Sequence, residues 1–115
     1  MSDANEIIER YYAALSTGDI DSLLAMYGED SEIVRYDGVA VTAAEKREYF
    51  GHHLVRNPNL SLNQIVDVRR SDEVLMWDAL IDTDHGVVQV FHVVILDDDG
   101  KFHRHIPGLR GYWGG

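Results

Sequence analysis

Apolar residues recur at helical spacing through the first half of the chain and at strand spacing through the second. Ile7, Ile8, Tyr11 and Leu15 share one helical face, with Asp3 placed to cap its start, Glu6 three residues later and Gly18 to end it. Asp19 can cap a second, shorter helix with the stripe Ile20, Leu23, Leu24 and Tyr27, and Gly28 stands at its left-handed exit. The two read as a helical hairpin. Glu32 to Tyr36 predicts a short strand closed by Asp37-Gly38, a turn-forming dipeptide. Thr42 and Glu45 form a capping box that opens a third helix carrying Tyr49, Phe50 and Leu54, which stops before Asn57-Pro58.

From Leu60 the period shortens. Leu60, Leu62, Val66 and Val68 alternate with Ser61, Asn63, Asp67 and Arg69, which predicts a strand with one wet face. Val74 to Ile81 and Val87 to Leu96 are apolar at both parities and are separated by Asp84-His85-Gly86, so they predict central strands covered on both sides. Asp97-Asp98-Asp99-Gly100 makes a further turn, and a last strand runs from Lys101 toward Trp113 with a bulge or kink at Pro107-Gly108. Helices followed by a meander predict an α+β fold, a curved antiparallel sheet wrapped around three N-terminal helices. Three short helices cannot cover both faces of such a sheet, so a homodimer is expected to bury the outer one.

With 115 residues, the whole of 1–115 is read as one domain. The apolar runs are too short to cross a bilayer, and the acidic start Met-Ser-Asp-Ala-Asn-Glu does not resemble a secretory signal, so a soluble, cytoplasmic protein is expected. The absence of cysteine excludes disulfides, thiolate metal sites and a thiol nucleophile. A net charge of −10 without a basic cluster argues against nucleic-acid and anionic-membrane partners. No phosphate-binding glycine loop, serine-hydrolase elbow or zinc-protease motif is present. Histidine and carboxylate chemistry remain.

Asp78 is the one charged residue in Val74 to Ile81 and shares its parity with Met76 and Leu80. If that face lines a dry pocket, desolvation raises its pKa and makes it a general acid or base; otherwise it is an ion-paired aspartate on a dimer face. Arg35 can be its counter-ion, an anchor for a substrate oxygen, or a surface arginine. Tyr11 lies on the buried stripe, its hydroxyl either partnered in the core or aimed into a cavity. His103 and His105, two residues apart on a strand, should point to one side, as acid–base pairs and metal sites require. A metal would need a third ligand, which His92 or Asp78 would have to bring from another strand, so no metal is expected. His92 reads as a satisfied core or interface histidine, and His52, His53 and His85 as solvated.

The stretch from Glu9 to Leu15, Gly18-Asp19-Ile20-Asp21, Leu23 to Tyr27, Glu29-Asp30 and the closing Gly111-Tyr112-Trp113-Gly114 resemble the nuclear-transport-factor-2-like superfamily with its SnoaL-like cyclases, ketosteroid isomerase, scytalone dehydratase and limonene epoxide hydrolase. The resemblance covers nearly the whole chain. Beside ketosteroid isomerase, Tyr11 matches the tyrosine that donates to the substrate oxygen, whereas the general-base position falls on Arg35 and the oxyanion-hole aspartate on Phe91. Beside scytalone dehydratase, Asp78 falls at a pocket position. The epoxide hydrolase pairs an Arg with an Asp two residues away on the corresponding strand, where this chain has Asp78 and Leu80. The resemblance implies a cone-shaped sheet enclosing a pocket, and Met76, Leu80, Phe91, Tyr49 and Phe50 are expected to line it. It further implies a cofactor-independent isomerase, dehydratase or cyclase acting on a small, largely apolar carbonyl compound, with Asp78 and a histidine exchanging protons and Tyr11 polarising an oxygen. The competing expectation is a non-catalytic dimeric ligand-binding module on the same fold.

Overall fold

The computed structural model describes residues 3–113. Helix α1 (Ala4–Thr17) begins where the Asp3 carboxylate accepts the Asn5 N–H and ends at Gly18, whose φ of 71° suits a residue without a Cβ. Helix α2 (Ile20–Leu24) is capped by Asp19, and α3 (Ala43–Arg56) opens on both halves of the Thr42–Glu45 box, with Glu45 N donating to Thr42 Oγ1 at 3.1 Å and Thr42 N donating to Glu45 Oε1 at 3.0 Å. The strands are β1 (Tyr27–Arg35), β2 (Gly38–Ala40), β3 (Ser61–Arg70), β4 (Val74–Thr83), β5 (Gly86–Leu96) and β6 (Phe102–Trp113). They form one curved six-stranded sheet in the order β2-β1-β6-β5-β4-β3. Among the described residues no helix is long and apolar enough to cross a membrane.

Some details differ from the sequence expectation. The second helix stops at Leu24, and Tyr27 begins a strand because its ring is buried beside Phe102, its partner on β6. The sheet is antiparallel except between β1 and β6, which run parallel. Gly114, the last residue of the closing motif, lies outside the described residues.

The concave face holds the core. On β4 it takes Leu75, Trp77, Ala79 and Ile81, each at most 3% exposed, and on β5 it takes His92, Val94 and Leu96. Ile7, Ile8, Tyr11, Tyr12 and Leu15 of α1 fill the concavity. Complete burial of each large apolar side chain contributes about 1.5–3 kcal/mol, so the packing of α1 on the sheet is a large contribution to the stability of the fold.

Alternation along the strands is broken by bulges. On β3 the register shifts between Leu62 and Gln64 and again between Ile65 and Asp67, so Ile65 packs on the core while Val66, expected inside, is 47% exposed. On β6, Leu96 pairs with Phe102 and Ile95 with Arg104, leaving His103 as the extra residue. A second extra residue, Arg110, falls between Leu109, opposite Val90, and Gly111, opposite Gln89. A Cβ on Gly108 would overlap the Phe91 ring, which lies across the outer face at that point.

Candidate functional site in the concave face

A cavity of about 450 Å³ opens between the free end of the sheet's concave face and the helices. Tyr11, Tyr12 and Leu15 come to it from α1, Tyr49 and His53 from α3, and Ile81, Val88 and Val90 from β4 and β5. Arg35, Tyr36, Asp37, Arg56 and Asn57 contribute polar groups, with Pro107, Gly108 and Leu109 along one side. His92 presents a buried imidazole to the cavity from β5.

His92 ends a buried chain of hydrogen bonds. The Tyr27 hydroxyl lies 2.7 Å from His105 Nδ1, and His105 Nε2 lies 2.7 Å from His92 Nδ1. Nε2 of His92 has no protein partner among the described residues and is not sealed from solvent. The Trp77 indole stacks on the His92 ring, centroids 4.4 Å apart, while its Nε1–H donates to the Tyr12 hydroxyl at 3.0 Å. Tyr11 meets both imidazoles edge to face. This aromatic packing strips water from the pair. Burial holds His105 far below the usual imidazole range, at about 3. His92 is likewise pushed well below 6.5, first by burial and then by the proximity of His105 and His53. Both rings are neutral at physiological pH.

The walls carry further polar groups. His53 stacks on Tyr49 and is lowered by burial and by Arg56, so it too stays neutral. Burial pushes Tyr49 up to about 12 despite the opposing effect of Arg35. The Arg35 guanidinium lies over the Tyr49 ring, its carbon 4.8 Å from the centroid. Its Nε is buried without a hydrogen bond, with the Asp37 carboxylate 3.5 Å away. The Tyr11 hydroxyl has no hydrogen-bond partner among the described residues and lies on the cavity wall; burial raises its pKa well above 10.

Of the residues expected from the sequence to be catalytic or pocket-lining, Tyr11, Arg35 and Tyr49 line this cavity, and the rest of that set do not. Asp78 is on the outer face, because the odd positions of β4 take the core side. There it pairs with Arg110 rather than Arg35, Nε to Oδ2 at 2.5 Å, and receives a longer contact from Gln89. Met76, 40% exposed, and Leu80 share that face, and Phe91 lies on it beneath Arg110. Phe50 is fully buried in the core without reaching the cavity. His103 and His105 do not point the same way: the bulge leaves His103 exposed and turns His105 inward, behind His92. His92 and His53, which sequence reasoning assigned to the core and to solvent, are the histidines at the cavity. Their apolar surroundings on β5 and α3 were visible in the sequence; the facing of each ring was not. Facing nitrogens of His92 and His105 are spent on each other, and among the described residues no three His, Asp or Glu side chains gather as a metal site would need.

No protein-family model matches the sequence, and neither does any curated protein. Solved structures do match in shape. A SnoaL-like protein of unknown function from Burkholderia thailandensis superposes with a TM-score of 0.80 at 13% identity, over 94% of this chain and 95% of that one. The chain has the nuclear-transport-factor-2-like, SnoaL-like fold. Another example of the fold, an NTF-2 like protein of unknown function from Burkholderia xenovorans, gives a TM-score of 0.76 at 10% identity, over 97% and 86% of the two chains. SalBIII, an epoxide hydrolase/cyclase-like enzyme in pyran ring formation in the polyether salinomycin, gives 0.76 at 16% identity, over 96% and 95%. At these identities the SnoaL-like likeness establishes the architecture and leaves the chemistry to the side chains.

Proposed function

We propose that the chain binds a small, largely apolar carbonyl compound in the concave cavity and moves a proton on it without a cofactor, as an isomerase, dehydratase or cyclase does. The observation that carries this reading is the neutral His92 ring, open to an aromatic cavity at the end of the buried Tyr27–His105 chain. The apolar walls would exclude water and strengthen every polar contact made inside. His53, neutral on the wall, is the group able to take a proton, while the Tyr11 hydroxyl and the Arg35 side chain stand on the lining where ligand oxygens would sit. The cyclase-like enzyme SalBIII is a precedent for catalysis on this fold.

One observation favours a non-catalytic ligand-binding module instead: the only carboxylate on the described lining is Asp37, half exposed beside Arg35. Exchange of the α-hydrogens of 2-tetralone in deuterated water, followed by proton NMR, separates the two readings. Wild type should accelerate exchange, and His53→Phe should slow it by about a hundredfold or more, the usual contribution of a positioned base. No acceleration, with the ketone nonetheless bound, would favour the module.

A further inference from the structure

The hydrogen-bond chain behind the cavity has a direction, and that direction decides what His92 offers a ligand. Tyr27 and His105 lie 78 residues apart in sequence and are both buried. Tyr27 Oη has one hydrogen-bond partner among the described residues, His105 Nδ1, so that nitrogen is the only acceptor for the hydroxyl hydrogen. If His105 instead carried its proton on Nδ1, the phenol would accept and its own hydrogen would be buried without an acceptor, an arrangement proteins avoid. Tyr27 therefore donates. A neutral imidazole carries one N–H, so His105, accepting at Nδ1, is protonated at Nε2 and donates to His92 Nδ1. By the same rule His92 is protonated at Nε2.

We propose that His92 is a neutral hydrogen-bond donor toward the cavity, with Tyr27 and His105 as positioning residues that fix its tautomer, so that the ligand group seated there is an acceptor oxygen such as a ketone, ester or ether. The groups packed on His92 from the other elements agree with this. They are Tyr11 and Tyr12 of α1, Trp77 of β4 and His105 of β6, with His53 of α3 near enough to be felt, and none is a carboxylate that would favour an imidazolium. A neutral imidazole N–H polarises a carbonyl without giving up its proton, which suits a water-poor site where an imidazolium is costly. The role is the reverse of a general base.

The tautomers are measurable without a ligand, which keeps this assignment separable from the proposed function, on which its ligand half rests. In protein labelled with nitrogen-15 at histidine, long-range proton–nitrogen spectra near neutral pH should show both buried rings in the Nε2–H form. An orphaned hydroxyl hydrogen holds that ratio at roughly tenfold or more, and Tyr27→Phe should bring the Nδ1–H form into view. Finding His92 as Nδ1–H in wild type, or tautomers unmoved by Tyr27→Phe, overturns the assignment. The ligand half is read with 2-acetylnaphthalene and its oxygen-free isostere 2-isopropenylnaphthalene. Wild type should prefer the ketone by about five- to tenfold, the yield of one hydrogen bond in a dry site, and His92→Phe should erase the preference. Equal affinities in wild type overturn the donor role. If neither naphthalene binds while both rings are Nε2–H, the ligand-binding reading falls and the direction of the chain stands.

Discussion

Replacing His105 with Gln tests whether burial of the imidazole pair limits stability in acid. Gln can place its amide near the Nε2 position and donate to His92 Nδ1, but it abandons the Tyr27 hydroxyl. Near neutral pH that orphaned hydroxyl should cost about 2 kcal/mol. In acid the sign reverses. His105 is held at about 3 in the fold against 6.5 for the ordinary side chain, so its neutral form contributes fully above 6.5 and the contribution drains as pH falls toward 3. Across that window the unfolded chain takes a proton that the fold refuses, and stability drops by about 1.4 kcal/mol per pH unit. By about pH 4.5 the wild type has lost roughly 3 kcal/mol of this contribution, a loss the variant, lacking the group, does not suffer. The two stability curves should therefore converge below 6.5 and cross near about pH 5. Urea titrations in steps from about pH 4 to about pH 8 measure this directly, because carboxylate protonation is common to both proteins and cancels in the difference. A difference that stays constant over the whole range would show that His105 titrates alike in folded and unfolded chains, and the reasoning from burial would be wrong.

Asp78→Asn should cost about 1 kcal/mol or less, because its partner Arg110 is half exposed, and should leave binding in the cavity unchanged; thermal melts and ketone titrations check both. Gly108→Ala should destabilise by about 1–3 kcal/mol in urea titration through overlap with the Phe91 ring, and Phe91→Leu should recover part of the loss. The outer face, with Met76, Leu80 and Phe91 around the Asp78–Arg110 pair, is proposed to join two copies of the chain: light scattering should give twice the monomer mass, and Met76→Glu should shift it toward monomer. A monomer at every concentration would refute that.

How much could be read in the sequence depended on whether the relevant force is local. The starts of the helices were legible, since Asp3, Asp19 and the Thr42–Glu45 box act within one turn of chain and all four residues cap as their positions suggest. The facing of β4 was not. Its two parities, Leu75-Trp77-Ala79-Ile81 and Val74-Met76-Asp78-Leu80, are both apolar enough to be covered, and only packing against α1 selects the first. Choosing the second moved Asp78, Met76 and Leu80 from the outer face into the pocket. On β6 the reason is different, because the i, i+2 rule for His103 and His105 presumes a regular strand, whereas His103 is itself the extra residue of a bulge. His92 was undervalued for a related reason. Its partner His105 comes from the neighbouring strand β6, and the Tyr27 behind His105 comes from β1, 78 residues from it, so nothing near His92 in sequence announces the chain.

The parallel seam between β1 and β6 has a consequence for how the molecule comes together. Order along the sheet puts β6 between the β1–β2 hairpin and the β3–β5 meander, so these two halves share no ladder except through it. Until β6 docks, two sheet fragments each present an unpaired edge, and the tyrosine and two histidines of the buried chain belong to separate pieces. Joining them closes a loop of most of the chain, an entropically late event. Ligand binding should thus appear only in the final folding step, and a chain cleaved before Phe102 should regain it when the β6 peptide is supplied in trans.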